Sequence, residues 1–157
     1  MFADTLPLKM QKDELEMFLS REFPQVSDEV GIAELTESQV TMRLVASDKH
    51  LRPGGTISGP TMFMLADVCF YLALLSVIGP QALTVTTSAH ISFMRKPSPA
   101  PLLATARRLK LGKTLAVGDV LLFSEGMEVP VAHASMTYAI PPAIRPVIQP
   151  ATPSSIS

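Results

Sequence analysis

The sequence predicts an α+β fold in which an antiparallel sheet wraps around one long central helix. Three features predict it: an amphipathic segment with two alternating runs near the start, one long apolar segment in the middle, and four strand-like runs after it. Consecutive strands that are joined by short turns form antiparallel sheets. A helix that is apolar nearly all round needs apolar surface on most sides, and a curved sheet provides it.

The first predicted elements are a helix over residues 9–23 and a β-hairpin. Pro24 ends the helix, and charged residues occupy the face opposite its apolar residues. The apolar residues that recur at helical spacing are Met10, Leu15, Phe18, Leu19 and Phe23. Alternating runs at 31–36 and 39–46 predict two strands, joined by a turn through Glu37 and Ser38.

The central predicted helix covers residues 61–78. Two prolines and three glycines in residues 50–60 predict a structured loop before it, while Pro60 suits its first turn and Gly79 suits its end. Its mostly apolar length also reaches the lower limit of a membrane span. Asp67 within the segment and the lack of basic flanking residues favour a core helix over that alternative.

Four further strands are predicted, at 82–94, 102–110, 114–124 and 131–140. The first of them alternates most regularly between two kinds of side chain. One face is predicted to carry Leu83, Val85, Thr87, Ala89, Ile91 and Phe93, and the other Thr84, Thr86, Ser88, His90 and Ser92. We expect residues 1–142 to form one domain and the proline-rich residues 143–157 to form an extended tail.

The composition narrows the functional classes. A formal net charge of −1 gives no bulk field that favours nucleic acid. The single cysteine, Cys69, excludes an intrachain disulfide, and the start of the chain does not read as a secretory signal, so we expect a cytoplasmic protein. His50, His90 and His133 lie far apart, and no His or Cys cluster has metal-ligand spacing. We therefore expect neither a metal nor a cofactor.

Asp67 is the one charged residue of the central helix. Burying a lone carboxylate costs free energy unless it is paired, hydrogen-bonded or protonated, and active sites often tolerate that cost. The alternative is that Asp67 faces water or a structural partner. Cys69 points to nearly the opposite side of the helix and is expected to be buried and unreactive. His90 and His133 are expected to lie on the sheet surface or in satisfied hydrogen bonds.

Three motifs follow one another along residues 50–140. Ser58-Gly59 is followed by Asp67 nine positions after Ser58, then by the segment FMRKP at 93–97 and by GKTLA at 112–116. This combination, in this order and at these spacings, resembles the PaaI-like hotdog-fold acyl-CoA thioesterase family. The resemblance implies the hotdog fold, a homodimer with a continuous sheet or a homotetramer, and an active site between subunits.

The resemblance also implies an activity and a set of catalytic residues. The expected reaction is hydrolysis of a medium-chain or aromatic acyl-CoA. Asp67 would act as general base on water or as nucleophile, and the backbone N–H of Gly59 would bind the thioester oxygen. Ser58 stands at the position of the family's histidine, and Thr86 matches the residue that helps to position water. The predicted substrate contacts are Arg52, Pro60 and Thr87, with Arg95, Lys96 and Lys113 at the CoA phosphates.

Three positions depart from the family pattern. Arg52, Ser58 and Pro60 stand where the family has Asn, His and Gly. Arg52 is able to polarise a carbonyl or to pair with Asp67. The departures favour a rival interpretation, a non-catalytic hotdog protein that senses or carries acyl-CoA, and a hydratase or dehydratase is a third. The basic residues, including Arg107, Arg108 and Lys110, equally fit a solvated edge of the sheet.

Overall fold

The computed structural model describes residues 4–142, and the predicted tail lies outside the described residues. The helices are α1 (Lys12–Glu22), α2 (Pro24–Ser27) and α3 (Gly59–Ile78), with a short 3-10 turn at Asp48–His50. The strands are β1 (Val30–Leu35), β2 (Gln39–Leu44), β3 (Val85–Phe93), β4 (Leu102–Leu111), β5 (Leu115–Ser124) and β6 (Ala132–Ala139). All the predicted helices and strands are therefore present, with shifted ends.

The six strands form one antiparallel sheet in the order β1-β2-β4-β5-β6-β3, so β3 lies at one edge. Helix α3 packs against β2, β4, β5, β6 and β3. The predicted α+β fold, with the sheet around a long central helix, is confirmed. Of the described helices, α3 is long and apolar enough to cross a membrane, and 72% of its most apolar window is buried. That burial is the environment of a core helix.

The predicted alternation of β3 is wrong at one point. The register of β3 against β6 shifts between Thr86 and Ser88, where Thr87 is the extra residue of a β-bulge. Thr86 lies opposite Tyr138, which is buried. Because directly opposed residues share a face of the sheet, Thr86 points toward α3. After the bulge, the residues on that inward face are Ala89, Ile91 and Phe93.

Arg108 corrects the interpretation of the basic residues as phosphate contacts or a solvated edge. Its side chain is fully buried. Its Nε donates to Oδ1 of Asp4 at 2.8 Å, its Nη1 donates to the Ala73 carbonyl at 2.8 Å, and its Nη2 donates to the Glu37 carbonyl. A buried arginine needs such partners because an unpaired buried charge is strongly destabilising. Arg108 therefore ties the start of the described chain, α3 and the β1–β2 turn together.

Arg107 lies on the outer face of the sheet and also has a structural partner. Its Nε and Nη2 donate to the two carboxylate oxygens of Asp119 at 3.1 and 3.0 Å, and His133 Nε2 lies 3.1 Å from the same carboxylate. Burial alone raises the pKa of Asp119, but the hydrogen bonds from Arg107 and His133 outweigh it and hold that pKa below its usual value. The expectation of a satisfied hydrogen bond at His133 is confirmed.

Candidate active site

The Asp67 carboxylate lies on the side of α3 that faces β3 and β6. Thr86 Oγ1 and the Tyr138 hydroxyl both donate to its Oδ1 at 2.6 Å. The Tyr138 hydroxyl also lies 2.8 Å from the backbone oxygen of Asp67. Oδ2 of Asp67 has no hydrogen-bond partner among the residues of the described range. One carboxylate oxygen is therefore held in place, and the other is available to a ligand or to water.

Tyr138 is a site residue that the sequence analysis missed. It is buried in β6, and its ring packs edge-on against Phe70, with the ring centroids 5.3 Å apart. Burial and the charge of Asp67 raise the pKa of Tyr138 far above its usual value, so the hydroxyl keeps its proton and remains a donor. The alternation of β6 predicts that Tyr138 faces the core, but nothing in the sequence pairs it with Asp67.

The first turn of α3 leaves one backbone donor free. A helix start has unsatisfied N–H groups. Here Pro60 carries none, Ser58 Oγ accepts from Thr61 N at 3.3 Å, and Met62 N donates to the Ser58 carbonyl at 3.1 Å. Within the described part of the chain, the N–H of Gly59 is the one in this turn that has no acceptor. The positive end of the helix dipole adds to its attraction for a negative oxygen.

The buried His50 holds this helix start in position. Its carbonyl accepts from Ser58 N at 2.8 Å and from Thr61 Oγ1 at 3.2 Å. Its ring is fixed on both sides, because Nδ1 accepts from Ser47 N at 2.9 Å and Nε2 lies 3.0 Å from Oε2 of Glu29. This arrangement places the ring proton on Nε2. His50 was not among the site residues expected from the sequence.

A recess of about 670 Å³ opens beside the start of α3, and we call it the helix-start recess. The Phe93 ring packs on Gly59, where a Cβ atom would lie 3.3 Å from Cζ. Arg52, Arg95 and Lys96 add three positive charges to the lining. The side chain of Arg52 makes no hydrogen bond within residues 4–142, so Arg52 does not pair with Asp67 within one copy.

A second recess, of about 330 Å³, lies beside the Asp67 carboxylate, and we call it the Asp67 recess. Its polar lining residues are Asp67, Thr84, Thr86, Tyr71 and Tyr138. Its apolar lining residues are Leu19, Phe23, Val68, Ala82, Leu83 and Val85. A mostly apolar recess with a carboxylate on its wall suits an apolar group that is attached to a reacting centre.

Gly59 and Asp67 are too far apart to act on one small group within a single copy. Eight residues along a helix correspond to about 12 Å. Gly59 contacts Phe93 at the end of β3, and Asp67 contacts Thr86 near its beginning. The two features therefore lie at opposite ends of the edge strand.

The remaining predicted site residues divide between these two ends. Arg95 and Lys96 follow the end of β3. Lys113 lies in the β4–β5 turn, at the end of the sheet where β3 begins, so one copy does not bring it to Arg95 and Lys96. Thr87 is exposed and donates to the Thr137 carbonyl at 3.2 Å, away from Asp67. Residues 4–142 contain no group of three His, Cys, Asp or Glu side chains that could hold a metal ion.

Comparison with known proteins identifies the family. The sequence profile of the thioesterase superfamily matches residues 54–131. The crystal structure of a candidate thioesterase from Silicibacter sp. TM1040 is 55% identical, with a TM-score of 0.82, and the match covers 88% of this chain and 97% of that one. The chain belongs to the thioesterase superfamily. Its fold is the hotdog fold, and its class of enzyme is thioester hydrolase.

Two other solved structures extend the comparison. A mutant form of the phenylacetic acid degradation protein PaaI from Thermus thermophilus is 25% identical, with a TM-score of 0.65. The match covers 75% of the present chain and 99% of the PaaI chain. This likeness supports the PaaI-like resemblance. A thioesterase from Haemophilus influenzae is 15% identical, with a TM-score of 0.79, covers 92% of this chain and 99% of its own, and shows the fold alone. No curated protein sequence matches the chain significantly.

Proposed function

We propose that this protein hydrolyses medium-chain or aromatic acyl-CoA thioesters in the cytoplasm, at a site shared by two copies of the chain. The observation that carries the proposal is the pairing of features at the two ends of β3. One end presents a carboxylate with a free oxygen, and the other presents a free N–H at a helix start. General base catalysis and stabilisation of an oxyanion need these two groups.

The free edge of β3 supports a shared site. Several large apolar residues near this edge are exposed in the single copy: Leu83, Val85, Phe93 and Met94. A two-fold axis that pairs β3 with β3 of a second copy makes the two strands antiparallel. The Thr86 end of one strand then lies beside the Phe93 end of the other. Asp67 of one copy is thereby brought toward Gly59 of the other.

The proposed reaction uses these groups in turn. Oδ2 of Asp67 takes a proton from water, and the water oxygen attacks the thioester carbon. The Gly59 N–H of the other copy stabilises the negative oxygen of the tetrahedral intermediate. The carbon–sulfur bond then breaks, and the thiolate of CoA takes the proton back from Asp67 as it leaves. In the alternative course, Oδ2 attacks the carbon directly, the carbon–sulfur bond breaks with release of the CoA thiolate, and water hydrolyses the resulting anhydride.

The same pairing brings the predicted basic residues of the two copies close together. Antiparallel pairing of β3 moves Lys113 of the second copy toward the end of the sheet that carries Arg95 and Lys96. Together with Arg52 in the helix-start recess, these side chains would bind the phosphates of CoA. Pro60 would lie beside the incoming thioester, and Thr87 would contact substrate only through the opposite copy.

The first experiment measures thiol release from a panel of acyl-CoAs. Asp67→Asn is expected to lower kcat by a factor of about 10² to 10⁴, the usual contribution of a general base. Asp13→Asn, on the exposed side of α1, is the matched control and should keep wild-type activity. Binding of acyl-CoA without turnover in the wild type would contradict the proposal and favour the acyl-CoA sensor or carrier.

A subunit-mixing experiment tests whether the site is shared. Gly59→Pro removes the free N–H at a position where proline fits a helix start. Inactive Asp67→Asn and Gly59→Pro copies, unfolded together and refolded, should regain about a quarter of wild-type activity, because half of the dimers would contain one intact site out of two. No recovery in verified mixed dimers would place both groups of each site on the same copy.

A further inference from the structure

The Asp67 recess carries an inference about substrate choice, which rests on the proposed function. Asp67, Thr86 and Tyr138 line its polar end. Tyr71 follows Asp67 by one helical turn on α3, and its hydroxyl donates to the Ala82 carbonyl at 2.9 Å. The recess is therefore lined along one turn of α3, from the Asp67 carboxylate to Tyr71.

Thr84 gives an independent indication that the recess takes a ligand. It lines the recess, it is only 5% exposed, and its hydroxyl has no hydrogen-bond partner. Among the described residues, Thr84 Oγ1 is the one buried side-chain oxygen or nitrogen that has no hydrogen-bond partner. Folded proteins satisfy nearly all buried polar groups. The missing partner must be a polar atom, so this hydroxyl indicates that the recess admits water or the thioester end of a substrate, whereas the apolar lining indicates the acyl chain.

The volume of the recess matches a medium-sized acyl group. About 330 Å³ corresponds to the space of roughly ten water molecules in the liquid. An aromatic ring with a short linker, or a medium-length aliphatic chain, has a similar number of non-hydrogen atoms.

One wall residue is free to change without loss of the core. Helix α1 contributes Leu19 and the residue that follows its end, Phe23, to the recess. Leu19 is buried, whereas Phe23 is 41% exposed and lies at the corner between α1 and α2. The edge contact between Phe18 and Tyr71, with ring centroids 6.4 Å apart, keeps α1 packed against α3 independently of Phe23.

We propose that the acyl group lies in the Asp67 recess and that Phe23 limits its size. Phe23 is then a specificity-determining residue of the thioesterase, supplied by the N-terminal helical segment rather than by α3 or the sheet. A smaller side chain at this position opens the recess to larger acyl groups, and a larger one closes it to all but smaller groups.

The test measures kcat/KM for straight-chain acyl-CoAs from butanoyl to hexadecanoyl. Phe23→Ala is expected to raise kcat/KM about tenfold for a chain that is about two carbons longer than the wild-type optimum, which is the effect of newly buried methylene groups. Phe23→Trp is expected to move the optimum to shorter chains. Met17→Ala, an exposed position of α1 outside the recess, should leave the profile unchanged.

The outcomes separate this inference from the proposed function. Opposite shifts in Phe23→Ala and Phe23→Trp support it, and Phe23→Leu replaces the alanine variant if that one does not fold. Continued hydrolysis with a wild-type chain-length profile in all Phe23 variants overturns the size limit but leaves the thioesterase assignment intact. An absence of hydrolysis of every acyl-CoA by the wild type overturns both.

Discussion

The Tyr138 hydroxyl and Oδ1 of Asp67 lie 2.6 Å apart although the two residues are 71 positions apart in the chain. Thr86 donates to the same oxygen at the same distance. Two donors on one oxygen fix the rotation of the carboxylate, while Oδ2 has no hydrogen-bond partner among residues 4–142. The direction of the free oxygen is therefore set by two neighbouring strands, β3 and β6.

Replacement of Tyr138 by phenylalanine should separate this orienting role from packing. The ring still packs against Phe70, but one donor to Asp67 is lost. Because hydrogen bonds to charged groups are worth about 1.5–3 kcal/mol, we expect kcat to fall about 10- to 100-fold with little change in KM. Steady-state kinetics on a good acyl-CoA substrate measure this. Thr105→Val, which removes a hydroxyl that bonds to Thr41 at 2.9 Å away from the Asp67 recess, is the control, and an unchanged kcat in Tyr138→Phe would contradict the role.

Arg108 should be essential for stability rather than for activity. Arg108→Ala leaves Asp4, the Ala73 carbonyl and the Glu37 carbonyl without their buried donor. We expect the free energy of unfolding to fall by about 3–5 kcal/mol, measured by urea denaturation. Arg43→Ala, which breaks a solvent-exposed pair with Glu125, should have little effect. Equal losses of unfolding free energy in the two variants would show that the buried network of Arg108 stabilises the fold no more than an exposed ion pair does.

Gly118 should not tolerate a side chain. A Cβ atom there would lie 2.2 Å from the Arg107 carbonyl oxygen and 2.2 Å from Cε2 of Phe70. Gly118→Ala should therefore destabilise the fold by about 1–3 kcal/mol or more, because both neighbours are fixed in the sheet and core. The matched change is Gly31→Ala on β1, where no atom lies within 4 Å, and thermal unfolding compares the two. A stable Gly118→Ala protein would require β4 to have shifted.

Cys69 should not react in a thiol assay of the native protein. Burial raises its pKa to about 12, and Sγ donates to the carbonyls of Val40 and Ala104. A disulfide reagent should therefore label it only as fast as the protein opens, and at once in denaturant. Rapid labelling of the folded protein would mean that α3 separates from β2 and β4. The same measurement supplies the background for the thiol-release experiments.

The strands and the two longer helices were predictable because their signals are local, whereas α2 was not, because Pro24 was interpreted only as the end of the first helix. The periods of apolar residues, Pro60 and Gly79 locate α3, and the alternating runs locate all six strands. Asp67 stood out because it is a charge in an apolar helix, and the structure gives it hydrogen-bond donors on one oxygen. A carboxylate within an otherwise apolar segment can be recognised from the sequence without knowledge of the fold.

The partners of these residues were not predictable because they depend on which strands become neighbours. Tyr138 and Arg108 look like an ordinary inward residue and an ordinary charge in their own segments. Their roles arise when β6 passes beside Asp67 and when Asp4 returns to β4. The bulge at Thr87 was missed for the same reason, because an extra residue changes the register against β6 without changing the local composition.

That bulge decides which threonine of β3 faces Asp67. It lets Thr86 and the later residues Ala89, Ile91 and Phe93 all point toward α3, although Thr86 and Ala89 are an odd number of positions apart. If the same residues were paired without the bulge, and Ala89, Ile91 and Phe93 stayed inward, Thr87 would lie opposite Tyr138 and Thr86 would turn outward. Deletion of Thr87, in contrast, would leave a regular strand in which Thr86 still faces inward. The register of one strand, without any change in side-chain chemistry, therefore decides which hydroxyl is placed to donate to the carboxylate.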